Sequence, residues 1–230
     1  PEVAQTYTSP KLTRQAPEYG DVVAAAKALL NAERPMIWAG AGVLFSGATA
    51  SLRELAELTP APVFCTMPGK SAFDERHPLA LGAGSGATTL PAHRWLSDCD
   101  LILALGTSLT RSPYGQQIHP GKLLIHNTIN SEDINKDEGA DIALIGDAAL
   151  TIQALTDEVK SQTGGNGTGD RNAIEAEIAA IKTEWMEGWV PVLTSDEEPL
   201  NYYRVIHEIN QNLDLENSIV THDAGGPRDS

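Results

Sequence analysis

A three-layer α/β/α fold around a parallel sheet of about six strands is what this sequence predicts. Three observations lead there. Short runs that are apolar throughout, such as Leu101-Ile102-Leu103-Ala104-Leu105, recur up to residue 145. Strands buried on both faces read this way, whereas a half-exposed strand alternates. Between the runs lie segments with apolar residues at helical spacing, as expected of crossover helices covering a parallel sheet. The first run, Met36-Ile37-Trp38-Ala39, ends abruptly in Gly40-Ala41-Gly42. Strand, glycine turn and helix in that order make half of a nucleotide-binding α/β unit. Glycine lets a ligand approach the backbone there, and unpaired helix N–H groups face it. The next glycine, Gly47, is spaced wrongly for GxGxxG, so a ligand-free turn is an equal reading.

The elements follow in order. Asp21 can cap a helix to about residue 33, with Val22, Val23, Ala26, Leu29 and Leu30 on one face. After the strand at 36–39 comes a helix near 47–59, then a short buried strand, Pro62-Val63-Phe64-Cys65. Residues 66–88, rich in glycine and proline, read as one long loop. A helix near 90–97 precedes the strand at 101–105. Leu123-Leu124-Ile125 and Ile142-Ala143-Leu144-Ile145 are further strands, and Asp147 caps a helix to about residue 160.

Composition narrows the function. The chain has 230 residues, 41% hydrophobic and 20% charged, as expected of a globular protein. No apolar run approaches the ~20 residues that cross a bilayer, and no signal-peptide pattern follows Pro1. The net charge of −15 repels phosphate backbones, so neither nucleic acid nor membrane is an expected partner. Two cysteines, Cys65 and Cys99, make neither a disulfide framework nor a four-cysteine zinc site. They read as buried inert thiols in a reducing cytoplasm.

Residues 162–170, QTGGNGTGD, carry no apolar side chain and read as a flexible linker after a domain spanning 1–161. Past it, Asp170 caps a helix with Ile174, Ile178, Ile181 and Trp185 on one face. Pro199 suits the first turn of another helix, with Leu200, Tyr203, Ile206, Ile209 and Leu213. Ser218-Ile219-Val220-Thr221 reads as a strand leading into His222-Asp223-Ala224-Gly225-Gly226. Residues 171–230 are thus expected to hold interdomain helices and the first strand of a second α/β domain.

Five stretches in order carry a resemblance: RPMIWAGAGVLFSGA at 34–48, GKSAFDERHPLALG at 69–82, DLILALGTSLT at 100–110, LLIHNTINSEDINKD at 123–137 and ADIALIGDA at 140–148. Together they resemble the central, Rossmann-like domain of thiamine-diphosphate-dependent enzymes of the acetolactate synthase, benzoylformate decarboxylase and pyruvate decarboxylase family. SIVTHDAGGPRDS at 218–230 resembles the start of that family's carboxy-terminal domain. The resemblance implies a parent enzyme that uses thiamine diphosphate and Mg²⁺ to cleave or form a C–C bond, with a 2-oxo acid as substrate. The cofactor acts as electron sink there. It also implies a homo-oligomeric parent whose amino- and carboxy-terminal domains hold the cofactor, so that this segment by itself is inactive. The family's Gly-Asp-Gly metal and diphosphate motif is expected beyond Ser230. Gly146-Asp147-Ala148 does not match it, and Gly226-Pro227 stands where the family often has Gln-His.

Some relatives hold FAD or an adenine nucleotide over the carboxyl ends of the central strands, in line with the rule for open parallel sheets. The candidates here are Gly40, Gly42, Thr66, Gly69, Lys70, Gly106, Thr107, Ser108 and Asn127, with Gly84 in the overlying loop 82–86. A pyrophosphate would lie between Gly40–Gly42 and Gly106–Ser108, with Lys70 or Arg111 to neutralise it. The strand end that often reads His-Ile-Asp-x-Asp is His126-Asn127-Thr128-Ile129-Asn130, which offers a ribose weaker, uncharged acceptors. A structural domain with a vestigial cleft is the competing expectation. His77, His93, His119, His126, His207 and His222 show no metal spacing, and His77 before Pro78 orders a loop. No catalytic residue and no metal ligand are assigned. Two other classes stay in view. One is a sirtuin-like NAD-dependent deacylase, on the Gly-Ala-Gly turn alone. The other is an autonomous flavin- or nucleotide-binding module.

Overall fold

The computed structural model describes residues 13–113, 115–214 and 216–221. Six strands form one all-parallel sheet: β1 (Pro35–Ala39), β2 (Val63–Thr66), β3 (Ala80–Gly84), β4 (Leu101–Leu105), β5 (Leu123–Thr128) and β6 (Ile142–Ile145). Their order is β3-β2-β1-β4-β5-β6. β1 and β4 are central and wholly buried, which is why they read as unbroken apolar runs.

The helices are α1 (Tyr19–Asn31), α2 (Ala41–Phe45), α3 (Thr49–Leu58), α4 (Leu90–Asp98), α5 (Ala148–Thr163), α6 (Arg171–Leu193) and α7 (Tyr202–Asn212). α5 packs between α1 and α3 on one face of the sheet, and α4 packs against α6 on the other, giving the three layers. Caps follow the local chemistry. Asp147 accepts from the Ala149 and Leu150 amides, Thr89 from Ala92, and Asp170 from Ala173.

Several expectations are corrected. The loop at 66–88 contains β3, an edge strand of sequence ALGAG. It has no β-branched or aromatic residue, so nothing marks it as strand; its pairing with β2 decides it. The sixth strand is therefore β3, and Ser218–Thr221 is irregular. The helix at the first glycine turn is the five-residue α2, not the longer α3. α1 begins at Tyr19, with Glu18 at the cap position and Asp21 in the first turn. α7 is capped by Asn201, two residues beyond Pro199. No α-helix lies between β4 and β5 or between β5 and β6 among the described residues. His222 to Pro227 lie outside them.

The glycine segment does not lead away from the body. The Thr168 amide donates to the Leu58 carbonyl (3.1 Å), and α6 folds back so that Ile178 is fully buried in the core. Arg34 makes a two-pronged pair with Glu177 (2.6 and 3.1 Å) and lies 3.8 Å above the Trp95 ring. That pair holds the Arg34 guanidinium above its ordinary pKa. Bidentate geometry and the cation–π contact fix α6 against α4. No helix among the described residues is long and apolar enough to cross a membrane.

Candidate functional site

The strand order reverses between β1 and β4, and the crevice at such a switch point is where open α/β sheets take ligands. A cavity of about 460 Å³ lies there. Trp38, Thr66, Gly84 and Gly106 bring the ends of four strands to it, and the loop after β4, from Thr107 to Ser112, forms much of its wall. The size falls within the range of small-molecule sites.

Of the residues nominated from sequence, Thr66, Gly84, Gly106, Thr107, Ser108 and Arg111 line the cavity; Gly40, Gly42, Gly69, Lys70 and Asn127 do not. The two glycine turns are in direct contact with each other. The Gly40 amide donates to the Leu105 carbonyl (2.9 Å) and the Gly42 amide to the Gly106 carbonyl (2.8 Å). A Cβ on Gly42 would stand 2.7 Å from the Gly106 Cα, and one on Gly69 2.7 Å from the Ala39 carbonyl oxygen. These glycines exist because backbone meets backbone. Gly40 and Gly42 pack on the β4 turn, where a side chain at 42 would strike Gly106, while Ala41 of the first turn and Gly106–Ser108 of the second both line the cavity. Gly106 has φ +60°, a conformation that favours glycine.

Asn127 is fully buried and serves the scaffold. Its amide donates to the Leu144 and Gly146 carbonyls and the Thr151 hydroxyl (2.8–3.0 Å), and its Oδ1 accepts from the Gly106 amide (3.1 Å). One side chain thus ties β5 to β6, α5 and the β4 turn, and its hydrogen-bonding capacity is spent. Thr128 donates to Asp133 (2.9 Å), and Asn130 caps the turn at Ser131–Asp133. His126 Nε2 donates to the Thr107 carbonyl (2.9 Å), and burial pushes its pKa down.

The nominated cations are paired. Arg111 Nε donates to Glu138 (2.9 Å) and its backbone amide to Asp137 (2.9 Å); Lys70 pairs with Glu75. The Glu138 carboxylate holds the Arg111 guanidinium above its ordinary pKa. Two relevant residues had no sequence signal. Trp38 lines the cavity from β1, meets Phe64 edge-on (centroids 4.9 Å apart), and its indole N–H has no hydrogen-bond partner among the described residues. Lys136 reaches the Thr110 hydroxyl (3.3 Å), and Thr110 lines the cavity wall. Lys136 gets there by the folding of the loop after β5, and Trp38 by its place near the end of a central strand.

His77 has the ordering role expected of it. Its Nε2 donates to Glu57 (3.0 Å) and its Nδ1 accepts from the Leu79 amide (3.1 Å), fixing the entry to β3. That assigns the neutral Nε2–H tautomer. Both cysteines are buried, and burial pushes the Cys65 thiol up to about 11, so it is not a reactive thiolate.

Fold and crevice together define an open, doubly wound α/β domain of the type that carries nucleotides or serves as scaffold between catalytic domains. Comparison with known proteins specifies it. Residues 22–155 match the family described as thiamine pyrophosphate enzyme, central domain, and the chain belongs to that family. It is 30% identical to a probable acetolactate synthase large subunit of Methanocaldococcus jannaschii, over 87% of this chain and 34% of that protein. It is 36% identical to an acetolactate synthase of Mycobacterium bovis, over 60% of this chain and 23% of the relative. A putative thiamin diphosphate-dependent enzyme from Mycobacterium smegmatis superposes with a TM-score of 0.56 at 26% identity, covering 66% of this chain and 30% of that one. Benzoylformate decarboxylase from Polynucleobacter necessarius shares the fold, with a TM-score of 0.58 at 21% identity over 73% of this chain and 30% of the other. The chain spans about a third of the length of the first two acetolactate synthase relatives, 34% and 35%. The family match leaves the deacylase and the autonomous flavin module without support.

Proposed function

We propose that this chain is the central segment of a longer thiamine-diphosphate-dependent enzyme. That enzyme is acetolactate synthase-like and makes or breaks a C–C bond beside the carbonyl of a 2-oxo acid. It is cytoplasmic and homo-oligomeric, and its other domains hold thiamine diphosphate and Mg²⁺. Within it this segment is scaffold. The observation that carries this reading is the way the switch-point crevice is built: its glycine turns close on each other, Asn127 is committed to the core, and Arg111 and Lys70 are paired with carboxylates. These commitments favour a structural role over a flavin or adenine nucleotide laid between those turns. The described residues supply no cluster of three or more histidine, cysteine or carboxylate side chains for a metal ion.

Calorimetry of the 230-residue chain with thiamine diphosphate and Mg²⁺ is expected to give no heat of binding; micromolar affinity would overturn the scaffold role. FAD and ADP are expected to leave the melting temperature unchanged. A rise of several degrees with either, or a flavin absorbance band in the purified protein, would make the crevice a nucleotide site. The gene-length protein is expected to turn over a 2-oxo acid such as pyruvate when supplied with both cofactors.

A further inference from the structure

His126 sits on β5 with no exposed surface. Its neighbour Asn127 bonds to Thr151 on α5 (3.0 Å). By strand alternation His126 therefore points to the opposite face of the sheet, where the loop after β4 meets it. Its Nε2–H donates to the Thr107 carbonyl (2.9 Å), which leaves Nδ1 as the bare nitrogen of the neutral ring. That nitrogen is buried and has no hydrogen-bond partner among the described residues. A proton added there would make a buried N–H with nothing to accept it, on a ring that also becomes charged. The flanking strands place Ala104 of β4 and Ala143 of β6 opposite His126, and neither titrates. The Thr107 carbonyl and Asp133, in the turn after β5, favour the charged ring, but burial outweighs both and lowers its pKa.

Thr107 is the root of the loop that walls the crevice. Besides the His126 bond, that root is held to β5 by the Gly106 amide on Asn127 Oδ1 (3.1 Å) and the Thr107 amide on the Asn127 carbonyl (3.4 Å). The loop has no regular structure, and Leu109 within it has φ +47°, which a leucine rarely adopts, so the closed form holds strain. Its far end is pinned at Arg111 by Asp137 and Glu138, so release at Thr107 would free the stretch between. We propose that His126 is an acid-sensitive latch on this loop. While neutral, the ring pins Thr107 and keeps the crevice wall closed. Once protonated, it must reach water, and residues 107–110 come off the sheet with it. The open form takes a proton at the ordinary imidazole value of about 6.5, whereas the closed form resists it. Closure is therefore complete above about pH 6.5 and is lost as pH falls from there toward the lowered value of the closed form. The latch lies within this chain and does not depend on the reaction of the longer enzyme.

The test is amide hydrogen exchange of the 230-residue chain, corrected for intrinsic exchange rates, at about pH 7.5 and about pH 5.5, on either side of the ordinary imidazole value. It is run on the parent and on His126→Gln, whose side-chain amide keeps a donor for Thr107 and takes no proton in this range. An open form with an ordinary imidazole gains up to about tenfold over that step in pH. Protection of the Gly106, Thr107 and Leu109 amides in the parent is therefore expected to fall several-fold, to at most about tenfold, while the amides of β1 keep theirs. The variant is expected to show no such fall. A change of less than about twofold in the parent overturns the latch. So does an equal fall in the variant, or a fall shared by β1, because the whole body is then loosening. If the variant does not fold, nuclear magnetic resonance of the parent at about pH 6 decides. His126 is expected to be the neutral Nε2–H tautomer wherever the Thr107 amide is protected, and an imidazolium beside a protected Thr107 amide overturns the proposal.

Discussion

The two halves of α6 carry similar apolar residues and meet opposite fates. In the first half Ile178 is fully buried and Ile181 nearly so, and Arg34 grips Glu177; Arg94 holds Glu184 just past the midpoint. In the second half Met186 and Val190 stand about half exposed, and the chain continues into an α7 that buries nothing. Composition does not separate them; the first half lies on the sheet and α4, whereas the second half meets only α7 and the turn before it among the described residues. The α/β body is stabilised by its own core, whereas the segment from Met186 onward is stabilised within this chain by local ladders and a few ring and ion-pair contacts. Such helices sit at the low end of the stability range within one molecule.

Glycine substitution should separate the halves most widely. Gly42→Val drives a branched side chain to 2.7 Å from the Gly106 backbone and is expected to cost roughly 3 kcal/mol or more in urea unfolding. Gly188→Ala, on the outer half of α6 with nothing within 4 Å, is expected to gain about 0.5–1 kcal/mol instead. Similar effects at the two sites would mean that the outer half is packed after all.

Asn127→Ala removes four hydrogen bonds from the centre of the body and strands the Gly106 amide, so a loss of about 2–3 kcal/mol is expected. Unchanged stability would show that water replaces it.

Acid should act on the body through Glu57. Its carboxyl is held below the usual range, first by the hydrogen bond from His77 and then by Arg53 and Arg171. A carboxylate whose folded pKa is lowered contributes fully above its unfolded value of about 4.3 and loses that contribution as pH falls through the lowered one. Glu57→Gln should therefore flatten the loss of stability below about pH 4.3. The effect at neutral pH should stay under about 1 kcal/mol, because the side chain is partly exposed and screened. An acid limb identical in both proteins would assign that loss to other groups.

Limited proteolysis gives the smallest and most local contrast. Cutting is expected first within 164–169 or after Leu193, where backbone lies outside regular structure, and last within 100–146. First cleavage inside β4 or β5 would invert the comparison.

Much of this was legible in the sequence. Five of six strands, the layers, the Asp147 and Asp170 caps and the family resemblance all rest on local pattern, because an unbroken apolar run or a capped amphipathic helix carries its own period. β3 was not legible, since ALGAG has no strand former and becomes a strand only by pairing with β2. The nominated site split for the same reason. Thr66, Gly84 and Gly106–Ser108 reach the crevice because strand ends do so in any open parallel sheet. Gly40, Gly42 and Gly69, by contrast, proved to be packing contacts between turns far apart in sequence.

The sequence by itself determined which segments are buried, how the chain alternates between strand and helix, and which family it resembles, because burial and periodicity are properties of neighbouring residues. Only the tertiary structure decided that the glycine turns close on one another, that Asn127 is spent inside the core, and that α7 faces outward. Each of those depends on which distant backbone comes within 3 Å, or fails to, and no local pattern encodes that distance.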